Sequence, residues 1–266
     1  MRHRIFYILN FLAVLLILTS YKSDRKQNKL ISIPTQTLNL YKIIGVNWLS
    51  AIQTIDSFEI SSFVTYEEYK EYLSSIKKDS SEQFYLSQFP DTTIAPKEVY
   101  EKYISSTDYD DYPVLGISWD NAMNYCKWKT LRDNPKDSIN FIYRLPKCSE
   151  WLAAYNYLEE NHKPHDFNKK YSDWLLNSKF ENYLYDAKNY KFVYDNVYLH
   201  KKDDPLTMKR KFAIGDSYVC QQEHLEGYYG FNYYSTQGYR HISFRYVKTE
   251  KENSKDILEF WGINVK

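Results

Sequence analysis

The chain is poor in glycine, cysteine and methionine, and it carries almost no net charge. Its 266 residues include 7 Gly, 3 Cys and 3 Met, with 35 basic side chains against 34 acidic ones. A balance this close to neutral leaves no field to draw the chain onto nucleic acid, so that partner class is excluded. Three cysteines, Cys126, Cys148 and Cys220, permit at most one disulfide and leave at least one thiol over, and all three pairings stay open. No internal repeat stands at the solenoid or propeller periods. The N-terminal apolar run, Ile5 to Leu18 behind a basic head of Arg2 and Arg4, falls short of the roughly 20 residues that span a bilayer comfortably.

That head, the apolar run and a small polar end give residues 1–20 the layout of a secretory signal, or of an uncleaved anchor. Leu18-Thr19-Ser20 has the form of a bacterial lipobox, yet Tyr21 stands where the acylated cysteine belongs. A phenol cannot carry a thioether-linked lipid, so export to the periplasm or envelope is expected without lipidation at Tyr21. Tyrosine is abundant, 28 residues, but Asn, Lys and Ile are raised with it and all are evenly spread. That pattern favours compositional drift of the genome over a Tyr-lined binding face.

The length suits one domain with a full core. Residues 21–40 read as a polar tether, 41–250 as the domain and 251–266 as a C-terminal tail. "FEISSFV" from Phe58 predicts a strand, and Thr65 with Glu68 predicts a capping box opening a helix that buries Tyr66, Tyr69 and Leu73. Ser118 predicts an N-cap, followed by a stripe of Trp119, Ala122, Met123, Cys126 and Thr130. Phe141 to Arg144 predicts a short strand before a helix around Trp151. "DFNKKYSDWLLNSKF" is read as helix-like, "KFAIGDSYVC" and "HISFRYVK" as strand-like, and "ILEFWGINV" as a docked helical turn.

Five of these segments, "FEISSFVTYEEYKEYL", "YPVLGISWDNAMNYCKW", "YRLPKCSEW", "GDSYVC" and "ISFR", appear in the order of one family. The chain resembles the formylglycine-generating enzyme, or sulfatase-modifying factor, domain over about residues 45–248. The resemblance implies an α+β fold, an irregular mixed domain related to the C-type lectin fold. It also implies that Trp119, Trp128 and Trp151 are core anchors, that Arg144 and Arg245 are structural cations, and that Cys126 is a small core hydrophobe.

The family's enzyme binds copper(I) between two thiolates, activates dioxygen and turns a sulfatase cysteine into formylglycine. Copper(I) favours soft, low-coordinate sulfur ligation. Ser217, Tyr218 and Cys220 match the first half of that pattern and make Ser217 and Cys220 the catalytic candidates. The second thiolate position is Leu225, which cannot ligate a metal. A rescue would need His224 as the second ligand beside Cys220, or Cys148 brought near in space. Other departures run the same way: paired glycines become Gly215-Asp216, Lys147 replaces the capping Thr before Glu150, and "GFR" is Ser243-Phe244-Arg245.

The expectation is therefore a pseudoenzyme: an exported, non-catalytic binding or assembly component of the bacterial cell envelope, of the gliding or secretion-associated type. Its partner would be an envelope protein, with membrane association only through the N-terminal segment. The alternative is a formylglycine-generating oxidase with a copper site centred on Cys220. An iron-dependent sulfoxide synthase is disfavoured for want of its helical module, and a lectin-like use of Tyr228 to Tyr239 has no second feature behind it. Calcium as a structural ion in "STDYDDY" (Ser106 to Tyr112) and a metal at His162 and His165 are weaker than solvated loops at both places.

Overall fold

A computed structural model of the chain describes residues 30–40, 52–135, 138–167, 170–178, 197–215 and 230–263. The chain enters through β1 (Ile31–Ile33) and β2 (Gln36–Asn39) and returns through β3 (Ile52–Ile55) and β4 (Phe58–Ile60). The expected tether is thus structured over its last part, because Ile31 and Ile33 offer one apolar face and Ile33 is buried against α-helical neighbours. β4 is shorter than "FEISSFV" suggests. Beyond Ile60 the backbone leaves the ladder, although Ser61 and Val64 still donate to the carbonyls of Tyr246 and Phe244.

Helix α1 (Tyr66–Asp79) starts as its spacing predicts: the Glu68 amide donates to Thr65 Oγ1 at 3.3 Å and the Thr65 amide to Glu68 Oε2 at 2.9 Å. Two further helices, α2 (Glu82–Ser87) and α3 (Lys97–Ser105), bury no residue of their own. Helix α4 (Trp119–Asp133) is capped by Ser118 and buries the whole predicted stripe, with Asn121 and Tyr125 added. Then come β5 (Phe141–Arg144) and α5 (Cys148–Glu160), both where the sequence puts them.

The next element corrects the sequence reading. Residues expected to be helix-like form β6 (Ser172–Ser178). Trp174, Leu175 and Leu176 are all buried, so this strand is covered on both faces. Three consecutive apolar residues, Trp174 to Leu176, do not distinguish a doubly covered strand from a buried helix. The chain closes with β7 (Arg210–Ile214), β8 (Gly230–Tyr234), β9 (Ile242–Ser243), β10 (Val247–Glu250) and α6 (Lys255–Phe260).

One four-stranded sheet has the order β1-β4-β10-β5 and joins the start of the domain to its end, with Val247 opposite both Ile60 and Arg144. A second has the order β8-β7-β6-β9, in which β6 and β9 run parallel with Asp173 opposite Ser243. β2 and β3 form a separate ribbon. Among the described residues no helix is long and apolar enough to cross a membrane.

Many tyrosines serve the core. Tyr66, Tyr69, Tyr72, Tyr125, Tyr143 and Tyr246 are buried and belong to one cluster with Trp119, Phe244 and Trp261. Tyr69 and Tyr125 stack at 5.9 Å, and Tyr125 meets Phe244 edge-on at 5.4 Å. Their hydroxyls need partners: Tyr69 donates to the Gln88 carbonyl at 2.8 Å and Tyr72 to Gln88 Oε1 at 3.0 Å. Burial holds the Tyr69 and Tyr125 phenols far above their ordinary range, so they stay neutral.

Candidate functional site

The two arginines singled out in the sequence are bound into the protein. Arg245 is fully buried, and its Nε donates to Asp173 Oδ1 at 2.9 Å while Nη1 reaches Asp166 Oδ1 at 3.0 Å. Its guanidinium lies 3.7 Å from the Phe167 ring centroid and 4.3 Å from that of Phe63. Trp151 Nε1 takes the other oxygen of Asp173 at 2.7 Å. Burial pushes the Asp173 carboxyl up against the opposing pull of Arg245. Asp166 is also pushed up by its partial burial, but Arg245 outweighs this and holds it low. Arg144 donates through Nη1 and Nη2 to the two carboxylate oxygens of Glu150, at 2.7 and 2.6 Å. Glu150 also accepts the Lys147 amide at 2.7 Å, so the loss of the capping Thr leaves it fully engaged; the Cys148 amide is taken by Asn177 Oδ1 at 2.8 Å.

A solvent-open cleft of about 510 Å³ lies at the start of α4. One wall comes from α2 and the turn after it, with Phe84, Gln88, Phe89 and Asp91. The floor is Ser118, Asp120, Asn121 and Asn124 of α4, and the far wall holds Gly116 and Gly238. The two glycines are a steric requirement: Gly116 has φ +76°, and a Cβ on Gly238 would stand 1.9 Å from the Gly116 carbonyl oxygen. Gln88 is 2% exposed and links the cleft to the tyrosine core, since its Oε1 also accepts from Asn124 Nδ2 at 3.2 Å.

Asp91 caps a short turn. Its Oδ1 accepts from the amide and hydroxyl of Thr93 at 2.8 and 2.7 Å, and its Oδ2 from the Gly238 amide at 3.4 Å. Partial burial works against ionisation, but these donors prevail and hold the carboxyl below its ordinary value. Asp120 faces inward as well as outward. Its Oδ1 lies 3.1 Å from His200 Nε2, and behind it Lys211 is fully buried, donating to the Tyr198 carbonyl and sitting 4.3 Å over the Trp119 ring. Burial lowers the Lys211 ammonium to about 8, with Asp120 and Asp204 pulling the other way.

Ser235 Oγ stands 3.3 Å from the same His200 Nε2. A nucleophilic relay uses the two imidazole nitrogens on two different partners. Here serine and aspartate meet one nitrogen, Nδ1 is buried with no partner among the described residues, and Ser235 is fully buried. The trio therefore ties α4 to the 197–205 segment and does not activate a hydroxyl.

The family model described as "Sulfatase-modifying factor enzyme 1-like domain" matches residues 49–203. The chain belongs to this family. Over a wider span the fold is similar to that of the solved structure titled "Crystal Structure of CarF", with TM-score 0.52 and 13% identity, covering 84% of this chain and 98% of that one. "Treponema denticola variable protein 1" aligns with TM-score 0.49 and 12% identity, covering 83% and 94%. At such identities the likeness concerns the fold alone. No curated protein matches the chain.

Within this sulfatase-modifying factor domain, Trp119 and Trp151 are fully buried, each with its indole N–H bonded, whereas Trp128 is partly buried against the same core, donating to Ser75 Oγ at 3.0 Å under the Arg132 guanidinium. Cys126 is buried and free, and burial pushes its thiol far up, as suits a core residue. Cys148 is 1% exposed at the start of α5. Ser217, Cys220, His224 and Leu225 lie outside the described residues. His162 takes φ +49° in the turn after α5, and His165 pairs with Glu159 at 2.8 Å. In the acidic loop Asp110 is spent on Lys70. Among the described residues no three His, Cys, Asp or Glu side chains gather as a metal site. The cleft residues Asp91, Asp120, Asn121 and Asn124 carry no spacing signal that marks a site; Pro90-Asp91 marks a turn and Ser118 a helix start, and neither points to a cleft.

Proposed function

We propose that the chain is a non-catalytic sulfatase-modifying factor protein, exported and acting as a binding component of the bacterial cell envelope, with a protein partner there. The observation that carries this reading is Leu225, an aliphatic side chain at the position of the second copper thiolate. The chemistry of the other thiols agrees with it: Cys126 is sealed in the core with its thiolate strongly disfavoured, and Cys148 is buried at the start of α5. One cleft on the described surface is lined by carboxylates, amides and hydroxyls with no cysteine or histidine among them, and is suited to holding a ligand.

The test is a copper(I) competition titration of the purified full chain, together with an aldehyde assay on a cysteine peptide of sulfatase type. The expected result is copper binding no tighter than that of Cys220→Ala and no aldehyde. Sub-nanomolar copper binding that is lost in Cys220→Ala and weakened in His224→Ala, or any aldehyde formed, would establish the oxidase instead. Export is tested separately by fractionation and the mass of the N-terminus: a chain in the envelope fraction, cleaved near residue 20 or retaining Met1 as an anchor, is expected, and a chain confined to the cytoplasmic fraction with Met1 intact overturns it.

A further inference from the structure

The cleft can be read for ligand chemistry from which of its polar groups are already satisfied. Anions meet two carboxylates there and no lysine or arginine among the lining side chains. The start of α4 has little left for them either, because the Asp120 amide donates to the Ser235 carbonyl at 3.1 Å and the Asn121 amide to Ser118 Oγ at 3.1 Å. The two carboxylates carry negative charge, but a metal ion would find no third ligand beside them: three donors already occupy the Asp91 oxygens, Asp120 lies 3.1 Å from His200 Nε2 with the buried Lys211 ammonium behind it, and among the described residues no three His, Cys, Asp or Glu side chains gather.

The unused groups are neutral. Asn121 is 9% exposed, lines the cleft, and spends Nδ2 on the Ser87 carbonyl at 2.9 Å, which leaves Oδ1 without a partner among the described residues. Asn124 likewise commits Nδ2 to Gln88 and keeps Oδ1. The hydroxyls of Thr92 and Thr236 both donate and accept. Phe84, with 38% of its surface exposed, and Phe89 present aromatic carbon beside them. Neutral acceptors, bifunctional hydroxyls and an aromatic face together match a ring that carries many hydroxyls on one edge and C–H groups on its faces.

Resting on the non-catalytic reading above, we propose that this cleft binds a sugar residue: an uncharged, polyhydroxylated ring, held by Asn121 and Asn124 and covered by Phe84. A volume of about 510 Å³ falls within the range of small-molecule sites.

The experiment is saturation-transfer NMR and calorimetric titration of the full chain with the methyl glycosides of glucose, galactose, mannose and N-acetylglucosamine. The free sugars are run beside them, with spermidine and inorganic phosphate as charged controls. At least one neutral sugar should bind saturably in the millimolar range, with an affinity that is unchanged between low and high salt. Asn124→Ala should weaken binding about 3- to 10-fold, the loss of one hydrogen bond. Phe84→Ala, at an exposed position that makes no side-chain hydrogen bond, should weaken it comparably with an unchanged melting temperature. A methyl glycoside that binds as well as the free sugar marks the end of a glycan chain as the source, and the reverse marks free sugar.

The proposal falls if no neutral sugar saturates, if spermidine binds more tightly with strong salt dependence, or if both variants bind like the parent chain. Those failures leave the copper and aldehyde results untouched, so the sugar assignment and the non-catalytic reading fail separately.

Discussion

Replacing Arg245 by methionine keeps most of the side-chain volume and removes the one guanidinium that compensates Asp173. Both partners are fully buried, with Nε 2.9 Å from Oδ1, and the other Asp173 oxygen accepts only from a neutral donor, the Trp151 indole N–H. At an effective dielectric of about 20, unit charges about 4 Å apart attract by about 4 kcal/mol. Breaking a buried pair from one side costs about 3–5 kcal/mol, because the remaining charge is stranded. Urea unfolding of Arg245→Met should therefore show a loss in that range.

Two further results follow from the same geometry. Asp173 already has its carboxyl pushed up by burial, and without Arg245 it rises further. A group whose folded pKa exceeds its unfolded value contributes stability at low pH and loses it as pH rises through the folded pKa, so the variant should be worse at pH 8 than at pH 5. In a cycle with Asp173→Asn, the double variant should be more stable than the summed single losses by about 1–3 kcal/mol. A loss below about 1 kcal/mol for Arg245→Met, or additivity within about 0.3 kcal/mol, would refute the stranded-charge argument.

Gly238→Ala should lower stability by about 1–3 kcal/mol or more, since its Cβ meets a backbone oxygen that cannot swing aside; a melting temperature equal to that of the parent chain would contradict the close approach. Lys211 has an ordinary value of 10.5 and a folded value of about 8. Between those values the unfolded chain binds more protons, so stability should rise with pH there, by about 2 kcal/mol from pH 8 to 9.5 for this group alone. Denaturant titrations should show that rise in the parent chain and a flatter profile in Lys211→Met, and identical slopes would show that the ammonium is not buried.

Local chemistry made several elements readable in advance. Thr65 and Glu68 satisfy each other's backbone within one turn, Ser118 does the same for Asn121, and the α4 stripe recurs at helical spacing, so these needed no knowledge of distant neighbours. The family order of five motifs carried the fold class in the same way. β6 was not readable, because being covered on both faces erases the alternation that marks a strand, and only its partners β7 and β9 decide it. Tyr66 and Tyr69 were readable as buried from their helical spacing, whereas the acceptor that Gln88 offers to the Tyr69 and Tyr72 hydroxyls is supplied by a distant turn.

What the sequence alone determined is the identity of the side chains, Leu225 among them, and the scaffold of capped helices and buried indoles, since each depends on residue type or on spacings of a few positions. Tertiary structure alone decided the cleft, which gathers residues 84–92, 116–124 and 236–238 from three separate stretches of the chain. It also decided which of their polar atoms remain free. A carboxylate or amide reads the same in sequence whether its oxygens are spent or open, and only the packing of Thr93, Gly238, His200 and Ser87 around them distinguishes the two.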